Sequence, residues 1–156
     1  MTKVFLGGTC AETVWREKLI SMLKIDYYNP VVSDWTEECM KQERYEREHD
    51  DFCLYVITPS MQGVYSIAEV IDDSNKRPEK TIFCFLNKDV PRYPNPYLLK
   101  TYEDIKAFNN AQIKSLDQVG KMVQRNGGKY FKTLEEVAEH LNKRKWLHGD
   151  RKTYKV

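Results

Sequence analysis

The sequence predicts an α/β protein, a parallel sheet with helices on both faces. Three observations carry that prediction. Residues 4–6, 52–57 and 81–86 are short apolar runs without polar alternation, as in strands buried on both sides. Segments with helical spacing of apolar residues separate them, giving a βαβαβαβ order that favours a parallel sheet. Glycine and proline clusters stand where strands would hand over to helices, at Gly7-Gly8, Asn29-Pro30 and Thr58-Pro59 through Gly63.

The elements follow in order. Residues 4–6 form a first strand ending in Gly7-Gly8-Thr9. Glycines there would let a ligand approach the backbone closely, or would simply make a strand-to-helix turn. Val14, Leu19, Met22 and Leu23 share one side of a first helix, with Arg16, Glu17 and Lys18 largely outside. A second strand around residues 25–28 ends at Asn29-Pro30. Pro30 cannot donate a ladder hydrogen bond, so this strand is expected to be short or at an edge. Asp34 and Trp35 lie beyond it. A carboxylate beside an indole suits a sugar hydroxyl and a base ring, and suits the approach to a helix equally well. Thr36 is the expected N-cap, with acids in the first turn of a helix over residues 37–49. The charges on that helix read mostly as a solvated face.

The central unit is residues 50–69. Asp50-Asp51 opens it, residues 52–57 form the strand, and a helix follows over residues 64–74. Glu69 lies in the apolar part of that helix. It is either a site carboxylate or an ordinary helix glutamate. Ligands in open α/β sheets bind outside the carboxyl ends of the strands. After a turn at residues 76–80 comes a fourth strand at 81–86. Residues 87–114 read as a proline- and tyrosine-rich loop, with a turn of helix somewhere in 98–108; loops of this length are often lids or insertions. A helix over 115–125 is capped by Gly127-Gly128. Residues 129–131 look like an extended link. Thr133 and Glu136 make a capping box that opens a last helix to about Asn142.

The 156 residues favour a single domain, over residues 1–142, followed by a basic tail at 143–156. The tail carries Lys143, Arg144, Lys145, Arg151, Lys152 and Lys155 against Asp150. Its expected role is a solvated terminus, so nucleic acid is not an expected partner. No apolar run reaches membrane-spanning length and the first residues do not resemble a signal peptide, so the expected compartment is the cytoplasm. The 4 cysteines contain no CxxC pair and are expected to be reduced structural thiols. GxGxxG and the phosphate loop GxxxxGK[ST] are absent, and the 3 histidines do not cluster. That argues against dinucleotide binding, ATP hydrolysis, a Ser-His-Asp triad and a histidine metal site. Carboxylates remain, and carboxylate pairs suit glycosyl chemistry.

Phe5-Leu6-Gly7-Gly8-Thr9-Cys10, Trp15-Arg16, Tyr28-Asn29-Pro30-Val31-Val32 and Asp34-Trp35 resemble the nucleoside 2-deoxyribosyltransferase-like family. So do Leu54-Tyr55-Val56-Ile57-Thr58-Pro59 and Gly63-Val64-Tyr65-Ser66-Ile67-Ala68-Glu69. The resemblance covers about residues 3–86 closely and the last helix more weakly. It implies a flavodoxin/Rossmann-like sheet. It implies N-glycosyl transfer or hydrolysis on a (deoxy)nucleoside or nucleotide, with no cofactor or metal. In the transferases of this family the base is exchanged through a covalent deoxyribosyl-glutamate; related glycosidases hydrolyse the same bond in a 5′-monophosphate. Glu69 matches the nucleophile. Asp51 matches the aspartate opening the third strand, with Asp50 as the alternative register. Gly7, Gly8, Thr9, Asp34, Trp35, Ser60 and Gly63 are the candidate substrate-binding residues, Gly7-Gly8-Thr9 standing where the family has a first-loop aromatic. Ser60 is similar to its counterpart in phosphate-binding glycosidases. Family members are homo-oligomers whose neighbouring subunit completes the site. A non-catalytic nucleotide-binding or sensor module on the same fold is the alternative.

Overall fold

The computed structural model describes residues 1–10, 13–90 and 105–153, with residues 144–153 described by backbone alone. In chain order the elements are β1 (Lys3–Gly8), α1 (Trp15–Ile20), β2 (Asp26–Tyr28), α2 (Glu37–His49), β3 (Phe52–Ile57) and α3 (Tyr65–Lys76). A 3₁₀ turn at Pro78–Lys80 leads to β4 (Thr81–Phe85), β5 (Lys88–Asp89), β6 (Lys106–Ala107), α4 (Asn110–Arg125), β7 (Lys129–Phe131) and α5 (Leu134–Thr153). Five strands form one sheet in the order β2-β1-β3-β4-β7, and every pairing in it is parallel. This is the flavodoxin-like order, with its switch point between β1 and β3.

Burial explains why the strands read as continuous apolar runs. Val4, Leu6, Leu54, Val56, Ile82 and Cys84 point to one face, where Trp15 and Leu19 of α1 and Leu134, Val137 and Leu141 of α5 pack. Phe5, Cys53, Tyr55, Ile57, Phe83 and Phe85 point to the other, against Val70 of α3 and Leu116 and Val123 of α4. Each fully buried Leu, Val or Phe stabilises the fold by about 1.5–3 kcal/mol. β2 is short and lies at the sheet edge, as Pro30 predicted.

Several expectations are corrected. Residues 129–131 are a fifth strand, since their backbone pairs with β4 from Ile82–Lys129 to Cys84–Phe131. α4 begins at Asn110 because Asn109 forms a capping box with Gln112. Residues 106–107 pair with 88–89 as a small antiparallel ladder. The rest of the expected loop, residues 91–104 with Pro91, Tyr93, Pro94, Pro96 and Tyr97, lies outside the described residues. α5 runs through Asn142 to Thr153. Cys53 and Cys84 are buried free thiols, Cys39 is partly exposed and Cys10 exposed. No helix among the described residues is long and apolar enough to cross a membrane.

Candidate active site

β1 and β3 end side by side at the switch point, and a cavity of about 370 Å³ opens there. Its floor is Gly7, Gly8 and Thr9. Gly8 has φ 115, and an added Cβ would lie 2.0 Å from the Val56 carbonyl oxygen, so only glycine fits. The turn is then locked. Thr9 N–H donates to Val56 O at 2.9 Å, and Thr58 N–H donates to Thr9 Oγ1 at 2.9 Å. From α1, Trp15 Nε1 donates to Thr9 O at 2.9 Å. Arg16 donates to Leu6 O at 3.1 Å and to Thr9 O at 2.6 Å. Arg16 is buried, contrary to its expected place outside the helix; it satisfies carbonyls that the end of β1 would otherwise leave orphaned.

The walls come from three elements. Trp35 and Pro30 stand on the β2 side, Glu43 comes from α2, and Met61, Gln62, Gly63, Tyr65, Ser66 and Glu69 come from the turn and first turns of α3. Glu69 is one turn into α3 with its side chain 11% exposed. Burial pushes its carboxyl up to about 7, Arg47 opposes this, and the Glu43 charge adds to it. The Glu43 carboxyl is also raised, by burial first, against the pull of Arg47 and Arg16. Arg47 Nη1 lies 2.8 Å from Glu69 Oε2. Arg47 thus draws both acids toward the carboxylate form against burial, and its direct ion pair is with Glu69. Arg47, and neither of the neighbouring hydroxyls of Tyr65 and Ser66, is the partner of Glu69 among the described residues. Two carboxyls of displaced acidity in one cavity can divide the work of nucleophile and proton donor.

The sequence-derived candidates sort clearly. Glu69, Gly7, Gly8, Thr9, Trp35 and Gly63 line the cavity together. An added Cβ on Gly63 meets nothing within 4 Å, so this position is open space. Asp34 is exposed and is not among the cavity residues; its carbonyl accepts from the Cys39 thiol. Ser60 is buried behind the turn, its N–H donating to Thr58 Oγ1 at 3.3 Å and its hydroxyl unpartnered among the described residues. Asp51 is not brought to the cavity. It precedes β3 at the amino end of the sheet, where its carboxylate accepts from Lys3 N–H at 2.8 Å. Asp50, the alternative register, is at that same end, buried beside Glu46. Strand direction is the reason, because a residue opening a parallel strand faces away from the binding edge.

Glu43 and Arg16 in the cavity lining, and Arg47 behind Glu69, are the residues of the candidate site that sequence reasoning did not single out. One signal was present. Glu43, Glu46, Arg47 and Asp50 follow the spacing i, i+3, i+4, i+7 of a helix face that packs inward.

A second, larger cavity of about 630 Å³ lies beyond the ends of β4 and β7. Lys18, Lys88, Lys114 and Lys132 line it, with Phe85, Ile113, Tyr130 and Leu134. It lacks the glycine turn and the Glu43 and Glu69 carboxyls, and the smaller cavity is the candidate active site. No group of metal-ligating side chains occurs among the described residues.

A parallel flavodoxin-like sheet with an acid pair in a cavity at its switch point defines the general class, an α/β protein with a small-molecule site. The particular family is shown by comparison. The model of the nucleoside 2-deoxyribosyltransferase like family matches residues 1–84, and the chain belongs to that family. The matched segment runs from β1 into β4 and contains every described residue that lines the smaller cavity. No curated protein and no solved structure matches the chain significantly.

Proposed function

We propose that this protein transfers or hydrolyses the N-glycosyl bond of a (deoxy)nucleoside or nucleotide, with Glu69 as nucleophile. The observation that carries this reading is that Glu69 and Glu43 line one cavity together with the Gly7-Gly8 backbone. Glu69 attacks the anomeric carbon as the bond to the base nitrogen breaks. The departing electron pair goes to the base, which takes a proton from the Glu43 carboxyl. An acceptor base or water then attacks the same carbon. The ester bond to Glu69 breaks, and Glu43 receives the proton of the incoming nucleophile. Trp35, exposed at the cavity, offers an indole face to the base ring, and the Gly7-Gly8 backbone allows close approach of the sugar.

The chain's own residues are sufficient for this chemistry without a cofactor. The cytoplasm is the compartment we propose. A homo-oligomer fits the exposed apolar side chains of Trp35, Val64 and Tyr65 at and beside the cavity, which a second copy would cover. Solution scattering from a strictly monomeric, fully active protein would remove the oligomer from the account.

A second reading has its own observation. The ion pair between Arg47 and Glu69 resembles a structural pair, and a non-catalytic nucleotide-binding module would retain it. Incubation with a panel of deoxynucleosides and deoxynucleotides, with free base followed by chromatography, separates the two. Base release supports the enzyme; tight binding of a panel member without release supports the module.

A further inference from the structure

We propose that Arg47 is a positioning residue for Glu69, with Asp73 and Tyr55 behind it: they fix the guanidinium and balance its charge while Glu69 passes between carboxylate and glycosyl ester. This rests on the reading of Glu69 as nucleophile. The geometry is a chain across three elements. Tyr55, fully buried in β3, donates its hydroxyl to Asp73 Oδ2. Asp73, fully buried in α3, accepts from Arg47 Nη2 at 3.0 Å on Oδ1 and from Arg47 Nε at 3.3 Å on Oδ2. Arg77 adds a further donor to Asp73 Oδ1 at 2.7 Å. Arg47, from the last turn of α2, then presents Nη1 to Glu69 Oε2 at 2.8 Å. Glu69 and Asp73 are four residues apart on α3 and share one face, so one guanidinium reaches both.

The two-point contact with Asp73 holds the guanidinium in one orientation, which a single charge–charge contact would not do. Glu69 Oε2 is thereby held, and Oε1 has no hydrogen bond from the described residues and is left for substrate. Charge balance gives Asp73 its second task. When Glu69 becomes an ester its negative charge disappears. An arginine paired with Glu69 alone would become an uncompensated buried cation, and the ester would be disfavoured. Asp73 keeps its two-point contact with Arg47 in both states, and Asp72 lies 4.0 Å from the same guanidinium, so Arg47 keeps carboxylate partners when Glu69 is esterified. Tyr55 and Arg77 hold Asp73 in place in turn.

The test uses the full chain with Arg47→Gln, Arg47→Lys and Tyr55→Phe, two readouts and a check of fold by circular dichroism. The first readout is kcat/KM for base release against pH. The second is the titration of the Glu69 carboxyl carbon by NMR, assigned by its absence in Glu69→Gln, which does not depend on turnover. Arg47 opposes the upward push of burial on Glu69, so Arg47→Gln should raise the Glu69 midpoint by roughly 1 to 3 pH units and move the acidic limb with it. Arg47→Lys keeps the charge and loses the fork. It should hold the midpoint near that of the wild type while lowering kcat more than it changes KM. Tyr55→Phe should lower kcat by less than Arg47→Lys. A folded Arg47→Gln variant with an unmoved Glu69 midpoint overturns the inference. So does an Arg47→Lys variant with wild-type kcat, or, should Arg47→Gln not fold, an Arg47→Lys variant whose Glu69 midpoint rises as though its charge were lost. If the wild type releases no base yet Arg47→Gln moves the midpoint, the nucleophile reading fails while the electrostatic role of Arg47 stands.

Discussion

Helix α2 serves two acid clusters, and one of them lines the smaller cavity. Towards the binding edge, Glu43 and Glu69 lie near Arg47 and line open space between β1 and β3. At the amino end, Glu46 and Asp50 lie near Lys3, whose Nζ is 2.9 Å from Glu46 Oε2. The acidities are displaced in both places. Burial first, and the neighbouring Glu46 next, push the Asp50 carboxyl up to about 8. Glu46 is also pushed up by burial, but hydrogen bonds from Asp50, Lys3 and Gln42 outweigh this and hold it below its ordinary range. A displaced acid therefore reports burial and neighbours. Access, and glycine backbone that a ligand can approach, single out the Glu43–Glu69 pair.

The comparison is broken or sharpened most strongly at Glu69. Glu69→Gln keeps the shape and removes the nucleophile, and base release should fall by roughly 10⁴-fold or more with little change in thermal stability. Glu43→Gln removes the proton donor, and kcat should fall by roughly 10²–10⁴-fold. Substrates whose base leaves easily without protonation should recover much of that loss. The pH profile comes next. Glu69 works ionised and its carboxyl sits at about 7, so kcat/KM should climb as pH rises through that value and be small below pH 6. An acidic limb near the ordinary glutamate value of about 4.3 would show that Glu69 is not held as described.

At the other cluster the expected effect is on stability alone. The folded chain keeps the Asp50 proton to about pH 8, whereas an unfolded aspartate loses its proton near 3.9. Between those values the unfolded chain binds fewer protons than the folded one, so stability falls as pH rises. Asp50→Asn should flatten that slope in urea titrations between pH 4 and 8 and leave base release unchanged. The smallest effect is expected at Asp51. Asp51→Asn weakens the bond to Lys3 N–H and should change kcat/KM by less than about threefold, since it touches nothing in the cavity. A loss of 100-fold would return Asp51 to the catalytic machinery.

Much of the fold was legible because burial on both faces leaves a mark in one dimension. Residues 52–57 have no charged member, and the structure places them as the central strand with each side chain buried. The glycine turn and Glu69 were legible for the same reason, being local signals beside a strong strand. β7 was not legible. Lys129-Tyr130-Phe131 is too short to carry a pattern, and only pairing with β4 makes it a strand. Arg16 and Arg47 were read as solvated because a charge on a helix shows its burial only through its partners. Those of Arg16 are carbonyls at the end of β1, and Arg47 meets Asp73 across 26 positions of chain. Asp51 misled through adjacency. It stands next to β3 in sequence, yet the strand's six residues, at about 3.3 Å each, separate its two ends by about 20 Å.

Covalent capture tests the central claim most directly. The wild-type chain would be acid-quenched during turnover of whichever panel substrate it cleaves, digested, and mapped by peptide mass spectrometry. The account predicts a sugar adduct on the peptide containing Glu69, absent from Glu69→Gln. An adduct on another residue, or a Glu69→Gln chain that releases base at the wild-type rate, would contradict it.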